Sequence, residues 1–69
     1  MPIINIQMLS GRTAAQKSAL IVELSEATQR ALGVPEEAIR VLVTEVPAEN
    51  WGVGSRTMAD LRAEQAKPG

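Results

Sequence analysis

Hydrophobic and polar residues change their rhythm twice along this 69-residue chain. From Ile3 to Leu9 the period is two: Ile4, Ile6 and Met8 fall on one face, and Ile3, Asn5, Gln7 and Leu9 on the other. That alternation, opening on β-branched side chains, predicts a strand. Ser10, Gly11 and Arg12 make a turn, after which the period lengthens. Leu20, Ile21, Leu24, Ala27, Ala31 and Leu32 recur at helical spacing and predict one apolar stripe, with Lys17, Glu23, Glu26, Gln29 and Arg30 on the remaining surface. Thr13-Ala14-Ala15-Gln16 marks the helix start. At this spacing the threonine hydroxyl takes an N–H of the first turn and the glutamine side chain returns a bond to the threonine N–H. Gly33 suits the left-handed residue beyond the last turn, and Pro35 blocks continuation.

The second half is shorter in its units. Pro35 to Ala38 reads as one helical turn, with proline in its first position and two acids beside the positive end of its dipole. Arg40 to Val46 predicts a second strand, apolar on both faces and stopped by Pro47. Ala48 to Ser55 is rich in turn formers, and Gly52 and Gly54 allow a hairpin. Thr57 is placed to cap a short helix running to Ala66, with Asp60 in its third position; residues 66–69 are expected to fray. Strand, helix, strand, with a crossover this long, implies parallel pairing with right-handed chirality. The expectation is a single α+β domain over residues 1–69, a β-α-β unit with a C-terminal hairpin and a variable tail at 55–69.

One helix covers one face of a two-stranded sheet, yet both faces carry apolar side chains and both edges are unpaired. Composition sharpens the problem. The chain is 45% hydrophobic, but Trp51 is its sole aromatic. A domain this small buries only about 60% of its unfolded surface. With no cysteine and no histidine, neither a disulfide nor the commonest zinc ligand can staple the fold. Self-association is the remaining source of burial, and a multimer is expected.

Charge narrows the partners. Seven basic and eight acidic residues are mixed along the chain for a net charge of −1, so no basic stripe offers a surface to nucleic acid or to an anionic membrane. The apolar runs are too short to span a bilayer, and the N-terminal pattern does not read as a signal peptide. With zero cysteine, this favours a cytoplasmic location. Ser-His-Asp and Cys-His nucleophile pairs cannot form. Gly52-Val53-Gly54 is too short for a dinucleotide fingerprint, and no carboxylate cluster has metal-ligand spacing. Glu23 and Glu26 belong to a solvated helix face. No metal and no cofactor are expected; Pro2, the arginines and Trp51 remain.

Pro2 has two readings. Lacking an N–H, proline is tolerated as a strand's leading residue. If Met1 is removed, however, its nitrogen becomes a free secondary amine; α-amines have a reference pKa of about 7.7–8.0, near enough to neutrality for general base work. Arg12 follows the first strand and Arg40 begins the second. In a parallel unit the end of one strand and the start of the next lie at opposite ends of the sheet. One subunit therefore does not bring Pro2, Arg12 and Arg40 together, whereas neighbouring subunits can. Trp51 is either core, interface or the wall of a substrate pocket.

Taken together, PIINIQMLSGR, TAAQKSALIVELSEATQRALGVP, IRVLVTE and NWGVG resemble the 4-oxalocrotonate tautomerase family of amino-terminal-proline enzymes, from Pro2 to about Gly54. The specific features are proline directly after methionine, L-x-G-R after the strand, Q-K-x-x-L-I in the helix, V-x-V-x-T-E, and an aromatic before G-x-G. The resemblance implies a short β-α-β subunit assembled as a trimer of dimers, with Met1 removed and Pro2 acting as catalytic base. It implies that Arg12 holds the distal carboxylate of a dicarboxylate. Arg40 of another subunit would bind the near carboxylate and the 2-oxygen, while Trp51, Ile3 and Leu9 line the pocket. Trp51 stands where the family commonly has phenylalanine. The implied reaction is tautomerisation of a 2-hydroxymuconate-like 2-hydroxydienoate to its 2-oxo-enoate isomer, as in catabolism of aromatic compounds by meta-cleavage. Dehalogenating relatives carry an arginine at the position of Leu9, which argues against halo-acrylate hydrolysis. Two alternatives stay open: another reaction on an unsaturated acid, and a noncatalytic homo-oligomeric binding module.

Physical chemistry agrees with the implied roles. Nearby guanidinium charge and poor solvation both disfavour prolinium and leave neutral amine available. The planar fork of arginine pairs with carboxylates and stabilises a developing dienolate.

Overall fold

The structure, a computed structural model, describes residues 1–66. β1 (Ile3–Leu9) and β2 (Arg40–Val46) pair in parallel, with Ile3 opposite Arg40 and Leu9 opposite Val46. Between them runs α1 (Ala14–Leu32), and a 3-10 turn at Glu36–Ala38 leads into β2. After a second 3-10 turn (Ala48–Asn50), β3 (Gly52–Val53) and β4 (Arg56–Thr57) form an antiparallel hairpin, followed by α2 (Met58–Ala66). The fold is the α+β unit, parallel sheet and C-terminal hairpin that the periodicity predicts. The fraying expected of the tail concerns residues that lie, beyond Ala66, outside the described ones.

Local chemistry fixes the ends of α1. The Thr13 hydroxyl accepts from the Gln16 N–H at 3.1 Å, and the Gln16 side chain accepts from the Thr13 N–H at 3.0 Å. A cap of this kind contributes about 1 kcal/mol. At the other end Gly33 adopts φ 66° and its N–H donates to the Gln29 carbonyl at 2.8 Å. Left-handed backbone is nearly free for glycine and costly for a residue with a Cβ.

Two details depart from the expectations. Pro35 sits just outside its turn, with φ −68° and ψ 149°; its carbonyl accepts from Ala38 N–H at 3.0 Å. In a three-residue 3-10 turn the residue supplying the first carbonyl is the cap, so proline is displaced from the first helical position by one residue. The apolar stripe of α1 is also divided. Leu20 and Leu24 are half-buried against the sheet, with Lys17 and Thr28 on the same face, while Ile21, Ala27, Ala31 and Leu32 are exposed. The stripe is wider than two strands can cover.

α1 packs mainly over β2, against the sheet face bearing Ile4, Ile6, Met8, Val41 and Val43. Lys17 Nζ reaches Glu45 Oε1 at 2.6 Å across that face, tying the first turn of the helix to the end of β2. The opposite face presents Ile3 (60% exposed), Asn5, Gln7, Leu42 and Thr44 to solvent. The protomer is correspondingly thin, measuring 52 × 24 × 16 Å. Among the described residues Ile39, at 8% exposure, is the one fully buried hydrophobic side chain. No described helix is long and apolar enough to cross a membrane.

Candidate active site

The candidate residues divide between the two ends of the parallel sheet. At the leading end, register brings Pro2 and Arg40 together: the Arg40 N–H donates to the Pro2 carbonyl at 3.0 Å. This is the first rung of the β1–β2 ladder, so Pro2 occupies the position where a missing N–H costs nothing. Ile3 follows, exposed on the uncovered face. The Arg40 side chain is exposed and folds back on the preceding turn, where Nη1 donates to the Glu37 carbonyl at 2.6 Å and to the Ile39 carbonyl at 3.3 Å. Carbonyl partners leave its positive charge uncancelled, and the remaining N–H groups of the fork are free to meet an anion. Met1, which precedes Pro2, is 79% exposed.

At the trailing end lies an open cavity of about 620 Å³ lined by Gln7, Met8, Leu9, Ser10, Gly11, Arg12, Trp51 and Arg62. β1 delivers its last residues to the rim. The chain then turns at Gly11, whose φ of 127° is open to glycine and disfavoured for a residue with a Cβ, and presents Arg12. Trp51 closes the opposite wall. It follows the Ala48–Asn50 turn, and its carbonyl accepts the Met58 N–H at 2.8 Å, which holds the start of α2 beside it. The hairpin between them turns at Gly54, φ 63°, as a two-residue connection requires. α2 is capped in the same manner as α1: the Asp60 N–H donates to the Thr57 hydroxyl at 3.0 Å, and Asp60 Oδ2 approaches the Thr57 N–H at 3.5 Å.

Within one chain, therefore, Leu9, Arg12 and Trp51 share a cavity, and Pro2, Ile3 and Arg40 share the far end of the sheet. A seven-residue parallel strand separates the groups by about 20 Å. The opposite-ends expectation holds for Arg12 against Arg40, and the register adds that Pro2 belongs with Arg40. Arg62, Gln7 and Ser10 line the cavity without having been singled out from the sequence. Arg62 lies on α2 one turn beyond Met58, whose N–H is bonded to Trp51, and that bond is not legible in the sequence. Among the described residues no group of three or more acidic, histidine or cysteine side chains is arranged to hold a metal ion.

What this arrangement can do is bind an anionic, unsaturated molecule. The cavity offers guanidinium groups, a flat indole and an apolar strand end, and the described residues that line it include no carboxylate side chain. Comparison with known proteins shows the family. A family model described as tautomerase enzyme matches residues 2–60, six residues beyond the motif that ends at Gly54. A 2-hydroxymuconate tautomerase of Pseudomonas putida is 44% identical over 61 residues, covering 88% of this chain and 97% of that protein. The crystal structure of TomN, a 4-oxalocrotonate tautomerase homologue of the tomaymycin biosynthetic pathway, superposes with a TM-score of 0.89 at 42% identity, covering 94% of this chain and all of that one. A heterohexamer 4-oxalocrotonate tautomerase from Chloroflexus aurantiacus gives a TM-score of 0.83 at 42% identity, over 90% of this chain and 100% of its own. The match to TomN covers 94% of this chain and so extends past Gly54 into the C-terminal segment.

Proposed function

The chain belongs to the 4-oxalocrotonate tautomerase family and is an isomerase; from that premise we propose that it converts a 2-hydroxydienoate of the 2-hydroxymuconate type to its 2-oxo-enoate isomer, with Pro2 as the general base. The observation that carries this reading is the division of the site. One end of the sheet holds the candidate base beside one arginine, and the other end holds a cavity with the second arginine and Trp51. Neither half suffices. Apposition of the leading end of one protomer with the trailing end of another completes the set.

The assembly follows from the same geometry. Among the described residues, one fully buried hydrophobic side chain, an open apolar sheet face and unpaired strand edges call for further copies. A hexamer, built as three dimers, accounts for all three, and a relative of the same fold is a heterohexamer. Whether one chain or two supply the six positions is answered by the mass of the assembly purified from its own source.

In the proposed mechanism removal of the exposed Met1 frees the Pro2 nitrogen. The amine takes the proton of the 2-hydroxyl as the C2–O bond becomes a carbonyl. The diene electrons move along the conjugated chain, and prolinium returns the proton to a chain carbon, so one proton is transferred and none is lost. Arg40, taken here from the Pro2 end of the same protomer, faces the near carboxylate and the 2-oxygen, where negative charge develops; its guanidinium stabilises the dienolate and disfavours protonation of the amine. Arg12 receives the distal carboxylate, and Trp51 and Leu9 pack against the carbon chain with Ile3 at the base. The proposed ligand is accordingly a small carboxylate with one or two acidic ends.

The test is an ultraviolet assay of 2-hydroxymuconate ketonisation by protein of verified mass. Turnover by protein lacking Met1, and its collapse in Pro2→Ala, is the expected result. Equal turnover by a form that retains Met1 overturns the role of Pro2, because an acylated nitrogen is not a base.

A further inference from the structure

We propose that Lys17 and Glu45 are positioning residues: their ion pair, with one backbone bond, clasps the turn carrying Arg12 to the end of β2 and so sets how tightly a carboxylate ligand is held. The clasp's effect on binding rests on the reading above, in which Arg12 receives a carboxylate; neither Lys17 nor Glu45 has a role in that reading.

Adjacent residues of β2 hold both ends of the segment 10–17. The Val46 carbonyl accepts the Ser10 N–H at 3.0 Å, and Glu45 Oε1 meets Lys17 Nζ at 2.6 Å. In the parallel ladder Glu45 and Val46 stand opposite Met8 and Leu9, two residues that line the cavity. Between these anchors the chain has little to fix it. Among the described residues neither Gly11 nor Arg12 makes a backbone hydrogen bond, and Gly11 at φ 127° lies where glycine moves most freely. The Thr13–Gln16 cap ties the start of α1 to itself, not to the sheet. Among the described residues the ion pair is the one polar side-chain bond between α1 and the sheet.

Lys17 also stands against local preference. A cation in the opening turn opposes the positive end of the helix dipole, and the first turn of α1 carries no acid to offset it. A residue that breaks a local rule calls for compensation elsewhere, and Glu45 supplies it. Both side chains are 31% exposed, so the pair is of modest strength. A modest tie is enough, because a displacement of about 1 Å weakens a ligand contact.

The sign of the effect separates a clasp from simple charge. By charge alone, loss of the Glu45 carboxylate favours an anion in the cavity and loss of the Lys17 ammonium disfavours it. Loss of a clasp weakens binding in both cases.

Trp51 is the only tryptophan and lines the cavity, so its fluorescence reports occupancy. The full chain is titrated with adipate, a saturated dicarboxylate with no enol to turn over. Glu45→Gln and Lys17→Gln are each expected to raise Kd about two- to fivefold, the scale of one partly exposed ion pair. The exchanged pair, Lys17→Glu with Glu45→Lys, should recover most of that loss. Opposite shifts in the two single variants, or no shift in either, overturn the proposal. Amide hydrogen exchange adds a measure that needs no ligand. In Glu45→Gln the Ser10 N–H should exchange about two- to fivefold faster, while the Arg40 N–H at the far end of the sheet keeps its rate. Equal acceleration at both, as a general loss of stability gives, or none at Ser10 overturns the clasp. Wild-type protein that does not bind adipate overturns the carboxylate role of Arg12 instead, and the exchange rates then decide the clasp.

Discussion

The two ends of the parallel sheet are built by different means, and in the proposed function they carry different parts of the chemistry. The leading end is made by register alone: β1 and β2 begin side by side, and one backbone bond sets Pro2 against Arg40. The trailing end is made by connections. A glycine turn presents Arg12, a 3-10 turn presents Trp51, and a capped helix brings Arg62 round to the same cavity. Ladder geometry is rigid and suits a proton-transferring nitrogen, which must be placed to within a fraction of an ångström. Turns and short helices vary more freely, which suits the end that reads the far part of a ligand. If the proposed roles hold, the division teaches that one scaffold can keep its proton chemistry fixed while its ligand choice is altered at the other end.

The largest expected effect comes from the leading end. Pro2→Ala replaces a ring amine by a primary amine and should lower kcat about a thousandfold, within the usual range for loss of a general base, with assembly intact by size-exclusion chromatography. Mixing sharpens the comparison further. Pro2→Ala chains and Arg12→Ala chains, unfolded together and refolded, should recover a substantial part of wild-type turnover, because some sites then draw an intact proline from one parent and an intact Arg12 from the other. No recovery would mean that each chain closes its own site. Next in size, Arg40→Ala should lower kcat by about 10- to 100-fold, the scale of a charge-assisted bond that strengthens as the oxyanion forms. Arg12→Ala should act on the other parameter, raising KM for a dicarboxylate about tenfold in steady-state kinetics with less change in kcat. If Arg12→Ala proved the more damaging to kcat, the two ends would have exchanged roles. The smallest effect belongs to the cap that holds α2: Thr57→Ala should cost about 1 kcal/mol in denaturant unfolding and leave the Pro2–Arg40 end untouched.

What could be read from the sequence was what is local. Thr13 with Gln16 and Thr57 with Asp60 are three residues apart, and their bonds form because helix geometry brings that spacing together wherever it occurs. Gly33 ends α1 as expected because few other residues accept its φ. Strand faces were legible too, since alternation admits only two assignments. The width of the covered surface was not. Periodicity identifies Ile21 and Leu32 as apolar, yet only the number of strands beneath a helix decides that Leu20 and Leu24 are covered while those two stand open. The alignment of Pro2 with Arg40 depends on register, which is set by how the crossover packs, and spacing along the chain does not contain it. Arg62 was passed over for a related reason. A nine-residue helix has too weak a periodicity to reveal its inward side, and the cavity joins the end of β1 to Trp51 and Arg62 much further along the chain.

The thinness of the protomer has a consequence for how the protein lives and dies. A plate 16 Å across, with a single enclosed apolar side chain among its described residues, has almost no stability to call its own. Its persistence is then governed by mass action: melting temperature climbs with protein concentration, and dilution yields unfolded polypeptide rather than lone folded subunits. Cells that make too little of it would not have a small amount of slow enzyme. They would have none.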